Sequence, residues 1–150
     1  MSEKTVYLDN NATTMVDPQV FEAMKPYFCD LYGNPSSMHE FGGQVMRAVD
    51  KAREQVKDFL GARDAKEIIF TASGSEGDNM AIRGVLEANK NKKHIITTKI
   101  EHPAVLNVYK YLEKQGYDVT YLDVDSKGNL DLNQLAESIT DETAKYNVCQ

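Results

Sequence analysis

From Lys66 onward the chain alternates short β-prone apolar runs with amphipathic stretches, and this alternation restricts the possible folds most severely. Strands are predicted over 67–71, 94–98 and 118–123, helices over 77–89, 103–115 and 131–139, and a last strand from 145. Strand and helix in succession call for parallel pairing, because each helix returns the chain to the same end of the sheet. The expected class is α/β, with a mainly parallel, helix-flanked sheet. No repeat, low-complexity tract or linker divides the sequence.

Upstream, Asp17-Pro18 is a helix-start signal, followed by Val20, Phe21, Met24 and Phe28 at helical spacing, with Pro26 placed to bend or end the helix. Leu31 to Ser37 (LYGNPSS) is a turn-rich connector. A longer helix from His39 or Gly43 to Leu60 follows, with Val45, Val49, Ala52, Val56 and Phe59 on one face and Gly61 as its stop. Arg47, Asp50, Lys51, Arg53, Glu54 and Lys57 make the other face, which reads as solvated.

The 150 residues and 41% hydrophobic content suffice for one ordinary core. A net charge of -6 without a basic cluster argues against a nucleic-acid or anionic-membrane partner. No apolar run approaches the roughly 20 residues of a membrane helix, and MSEKTVYLDNN is too polar for a secretory signal, so a soluble, cytoplasmic protein is expected. Cys29 and Cys149 form no disulfide framework and no C-x-x-C pair, and both read as structural thiols.

Three segments carry candidate chemistry. In IIFTASGSEGDN (68–79) a strand is expected to run into Ser73-Gly74-Ser75 where a helix begins. Unpaired amides and the helix dipole favour a phosphate or carboxylate there, whereas a simpler reading makes Ser73 or Ser75 a helix cap. The run matches neither a P-loop nor a dinucleotide fingerprint. In TTKIEHP (97–103), His102 precedes a Pro-started helix and is either structural or faces a crevice beyond the carboxyl ends of the strands. His39 and His94 lie in unrelated connections, and the three histidines show no metal-ligand spacing. YLDNNATT (7–14), which contains Asn11, is either an ordinary folded loop or part of a site.

Together, YLDNNATT (7–14), YGNPSSMHEFG (32–42), EIIFTASGSEGDNMAIRG (67–84), HIITTKIEHPAVLN (94–107) and GYDVTYLDVDSKGNLDLNQL (116–135) resemble the NifS/IscS-like cysteine desulfurases of the class V aminotransferase family. These are fold-type I enzymes that use pyridoxal 5'-phosphate. The resemblance implies the N-terminal part of the large domain of such a transferase, with an incomplete sheet. Residues 1–42 would be an arm, helix and pocket-edge loop, and 43–150 part of the cofactor-binding domain. It implies that Gly74 and Ser75 bind the cofactor phosphate, that His102 stacks on the pyridine ring, and that Asn11 lies near the substrate carboxylate. Ser73 stands where the family more often has glycine.

The implied reaction takes L-cysteine to L-alanine and passes sulfur, as a persulfide, to an acceptor or scaffold protein for iron-sulfur or thio-cofactor assembly. A homodimer is implied as well. The chemistry uses a lysine Schiff base and a cysteine thiolate on a mobile loop. The family's S-x-H-K-x-x-G-P-K-G-like and G-S-A-C-like segments do not occur in these 150 residues, and Lys99, Lys110, Lys114, Cys29 and Cys149 stand in other contexts. With KYNVCQ (145–150) replacing a more apolar strand, the expectation is the first part of a desulfurase, ended early by truncation, frameshift or design and inactive by itself. A selenocysteine lyase, another class V relative, or a non-catalytic interaction fragment are the alternatives.

Overall fold

The computed structural model describes residues 6–146, and their contacts divide into two units between Ile69 and Phe70. In the first unit, helix α1 (Pro18–Met24) starts where Asp17 Oδ1 accepts the N–H groups of Gln19 at 2.7 Å and Val20 at 3.4 Å. Pro26 ends this stretch and opens α2 (Pro26–Cys29). Helix α3 (Glu40–Leu60) is capped by His39 Nδ1, which accepts Gly42 N–H at 3.4 Å, and it stops at Gly61, whose φ of 69° suits glycine.

Between α2 and α3 the chain folds tightly on itself. Asn34 Oδ1 accepts Ser36 N–H at 2.9 Å, and the Asn34 carbonyl accepts Ser37 N–H at 3.0 Å. A Cβ on Gly42 would lie 2.7 Å from the Asn34 carbonyl oxygen, which explains the glycine. Among the described residues of this unit, Gly42 alone is buried. Val20, Phe21, Met24 and Phe28, which recur at helical spacing, are exposed, as is Phe59. Val45, Val49, Ala52 and Val56 of α3 are half-buried, and the first three, with α1 and Tyr27, line an apolar groove of about 650 Å³. An amphipathic stripe is buried only when an opposing surface meets it, and short helices offer little. Cys29 is exposed, which does not suit the expected packed thiol; Cys149 lies outside the described residues.

The strand predicted over 67–71 does not form. Ala65–Glu67 is a 3₁₀ turn fixed by a reciprocal Asp64–Glu67 capping box, and residues 68–72 join no ladder. Arg53 Nε donates to the Ile68 carbonyl at 3.1 Å, taking an acceptor that a neighbouring strand would use. Ile69 and Phe70 are 62% and 50% exposed. Apolar, β-prone composition gives a segment the capacity to pair, but a ladder also needs a partner.

The second unit contains α4 (Gly74–Ala88), β1 (His94–Thr98), α5 (Pro103–Lys114), β2 (Asp118–Leu122), α6 (Leu132–Ser138) and β3 (Thr143–Tyr146). The sheet order is β2-β1-β3 and both pairings are parallel, as expected for α/β. β3 begins two residues ahead of its predicted start, and residues 147–150 of KYNVCQ lie outside the described part. All five residues of β1 are buried. Ile95 packs with Ile82 and Leu86 of α4 and with Val105, Val108, Tyr109 and Leu112 of α5. Each such side chain contributes about 1.5–3 kcal/mol on burial. His94 joins the three strands, its Nδ1 lying 2.8 Å from Thr143 Oγ1 and its Nε2 2.8 Å from Thr120 Oγ1.

Tyr121 of β2 donates its hydroxyl to Glu113 Oε2 of α5 at 3.0 Å. Desolvation, reinforced by that carboxylate, pushes the phenol up to about 12. The folded state thus favours the neutral phenol, a contribution present below the unfolded value near 10 and lost as pH rises through the folded one. Tyr121→Phe should cost about 0.5–1.5 kcal/mol at neutral pH, with the deficit shrinking between pH 10 and 12 in urea titrations. Gly42→Ala should cost about 1–3 kcal/mol by overpacking. Gly84→Ala, in α4 with open space at its Cβ position, should gain about 0.5–1 kcal/mol in the same titrations.

Candidate functional site

Parallel pairing determines where the helices of the second unit begin. α5 leaves the carboxyl end of β1 and runs back to the start of β2. α4 enters β1 through residues 89–93, so it also runs against the strand direction. The two helices pack against each other through Ile82, Leu86, Val105 and Val108, and both N-termini are directed to the carboxyl end of the sheet. Gly74 and Ser75 open α4, and His102 is the N-cap of α5. Asn11 belongs to the first unit, exposed in a turn closed by Ala12 N–H to the Asp9 carbonyl at 3.1 Å and by Tyr7 Oη to Thr13 Oγ1 at 2.7 Å.

The serine turn separates two duties that its sequence leaves open. Ser73 is the cap, its Oγ accepting Glu76 N–H at 3.2 Å, while Glu76 Oε2 accepts Ala72 N–H at 2.6 Å. The next two residues make the first turn of a 15-residue helix. Among the described residues, no acceptor meets the N–H groups of Gly74 and Ser75 or the Ser75 hydroxyl. Beyond its chain neighbours and the backbone of its own helix turn, no heavy atom lies within 4 Å of the position a Gly74 Cβ would take. Two outward amides, a hydroxyl and the positive end of a helix dipole over open space suit an anion. The helix starts three residues ahead of the predicted 77, which brings both residues into its first turn.

His102 also caps. Its Nδ1 accepts Ala104 N–H at 3.1 Å, an arrangement that requires the ring proton on Nε2. The side chain is exposed. The cap orients the imidazole and leaves Nε2–H free to donate. Lys99, just before it, pairs with Asp123 Oδ2 at 2.7 Å and donates its backbone N–H to the Leu122 carbonyl at 3.0 Å. Glu101, which the sequence reading passes over, is buried in the same turn. Its sequence signal is a carboxylate between an apolar strand and a Pro-started helix. His39 caps α3 and His94 joins strands, and among the described residues no group of His, Cys, Asp and Glu could hold a metal. No helix among the described residues is long and apolar enough to cross a membrane.

The aminotransferase class-V family matches residues 6–150. The chain belongs to this family. It is 64% identical over 139 residues to a cysteine desulfurase of Nostoc sp., a match covering 93% of this chain and 34% of the relative. It is 50% identical over 143 residues to the cysteine desulfurase NifS of Azotobacter vinelandii, covering 95% of this chain and 36% of that protein. Among solved structures, SspA in complex with cysteine superposes with a TM-score of 0.88 at 39% identity, over 96% of this chain and 42% of the other. The likeness to NifS/IscS-like proteins read from five sequence segments is borne out, and the chain spans about a third of the length of the curated relatives it matches.

The division of duties in the serine turn is testable by urea unfolding. Ser73→Ala should lower stability by about 0.5–2 kcal/mol through loss of the cap, while Ser75→Ala should stay within about 0.5 kcal/mol of the unaltered chain. Equal losses would place both hydroxyls in the cap.

Proposed function

We propose that these residues form the cofactor-phosphate part of a pyridoxal 5'-phosphate-dependent cysteine desulfurase, which converts L-cysteine to L-alanine and passes the sulfur to a thiol as a persulfide. The observation that carries the reading is the unengaged pair of N–H groups at Gly74 and Ser75, at the positive end of α4 and beside open space. A dianionic phosphate fits that donor set, because charge-assisted bonds to backbone amides are stronger than neutral ones. The exposed His102 ring, fixed by its bond to Ala104 N–H, fits a flat aromatic partner. The relatives' names, cysteine desulfurases, and the structural neighbour described as a complex with cysteine support the substrate assignment.

Pyridoxal phosphate, when bound, supplies an electron sink for bond breaking on an amino-acid substrate. Gly74 and Ser75 hold the phosphate, and His102 presents its ring face and its Nε2 proton. Asn11 is assigned, by likeness to the family, to the neighbourhood of the substrate carboxylate. A sulfur-acceptor or scaffold protein, a homodimer and a cytoplasmic, reducing location complete the reading, since persulfide transfer needs a free thiol. The 150 residues hold neither a lysine nor a cysteine in the family's reactive contexts. A phosphate cradle and an imidazole do not replace covalent attachment.

Titration with pyridoxal phosphate, followed by its visible absorption, should show saturable but weak binding to the 150-residue chain. Ser75→Ala and His102→Ala should each weaken it about tenfold, and pyridoxal without the phosphate should bind at least about tenfold less tightly. Equal affinity for the two ligands would remove the phosphate site. L-cysteine should yield neither sulfide nor alanine with this chain, and turnover above that of free cofactor would contradict the assignment of inactivity.

A further inference from the structure

Glu101 carries the one carboxylate buried among the described residues, at 4% exposure, in company with His94, Thr97 and Thr98 as buried polar side chains. Removing a carboxylate from water costs several kcal/mol unless hydrogen bonds compensate. Its Oε1 accepts the hydroxyl of Thr98, the last residue of β1, at 3.3 Å. The turn from Thr98 to His102 is tied on both sides. Toward the sheet, Lys99 is bonded to Leu122 and Asp123; toward the helix, the His102 carbonyl accepts the N–H groups of Val105 at 2.9 Å and Leu106 at 3.1 Å. Between these ties, consecutive residues take opposite environments, Glu101 buried and His102 exposed.

We propose that Glu101 is a positioning residue for His102: its buried carboxylate, tied to Thr98, holds the turn so that the imidazole stays outward with Nδ1 on the Ala104 amide. The assignment deepens the cofactor reading and rests on it for its role, because a ring that stacks on a cofactor must be oriented before the cofactor arrives. The geometry itself belongs to the chain without any ligand. Thr98→Val removes the hydroxyl that donates to Oε1 at similar volume, Glu101→Ala removes the carboxylate, and Glu101→Gln keeps an acceptor oxygen without the charge.

The test is nitrogen-15 NMR of the cofactor-free chain, reading the His102 Nδ1 shift and the Ala104 amide exchange rate, with the Ile95, Ile96 and Val108 amides as references. Glu101→Ala and Thr98→Val should each speed Ala104 exchange about tenfold and move Nδ1 toward the value of an unbonded imidazole. The reference amides should stay within about twofold, and Glu101→Gln should restore the original signals. An unchanged Nδ1 shift and Ala104 rate in either folded variant would overturn the proposal. Reference amides that accelerate as much as Ala104 would overturn it too, because the role would then be general stability. If Glu101→Ala fails to fold, Thr98→Val decides. Failure of the cofactor reading is seen separately, as no pyridoxal phosphate binding by the unaltered chain.

Discussion

Strand β1 is bonded in parallel on both sides and buried along its whole length, and that double pairing determines where the helices of residues 70–146 begin. Parallel neighbours are reached only through crossovers, so α4 and α5 run back against the strands. Their N-termini share the carboxyl end of the sheet because Ile95 is packed under both helices through the Ile82, Leu86, Val105 and Val108 side chains. His94 reinforces the arrangement at the opposite end, bonding one threonine of each neighbouring strand. A position that gathers two helix dipoles is a consequence of this topology, before any side chain is chosen.

Side-chain choice then divides the labour. A helix start leaves several amides without acceptors, and a single cap satisfies only some of them. In α4 the cap is Ser73, and the remaining donors belong to Gly74 and Ser75, where the absent Cβ and a small hydroxyl keep the approach open. In α5 the cap is His102 itself, so the bond that completes the helix also orients the ring. The cap and the unengaged donors belong to neighbouring residues in one case, and to the two nitrogens of the same imidazole in the other.

Much of this was legible in the sequence because periodicity and capping are local. The Asp17-Pro18 start, the Gly61 stop, the strand at 94–98 and the Pro103 start all follow from residues adjacent to the element they define. The α/β class followed from their order. What the sequence misjudged depends on partners far along the chain. The run at 67–71 has strand composition, yet Arg53 takes one of its carbonyls and no ladder meets it. The stripe of Val20, Phe21, Met24 and Phe28 has helical spacing, yet it stays exposed. The serine turn was legible as an anion site or a cap, but the partition between Ser73 and the next two residues required atomic positions. Glu101 escaped notice because a buried carboxylate reads, in sequence, like any charged turn residue.

The claim on which the account rests is that an anionic phosphate is held by the first turn of α4 beside the His102 ring. Pyridoxal phosphate titrated into nitrogen-15-labelled chain, with every backbone amide followed at once, tests it most directly. The account predicts that the largest shifts fall on the Gly74 and Ser75 amides and on the His102 ring, saturating together. Shifts confined to lysine-bearing surfaces elsewhere, with Gly74 and Ser75 unmoved at saturation, would contradict it.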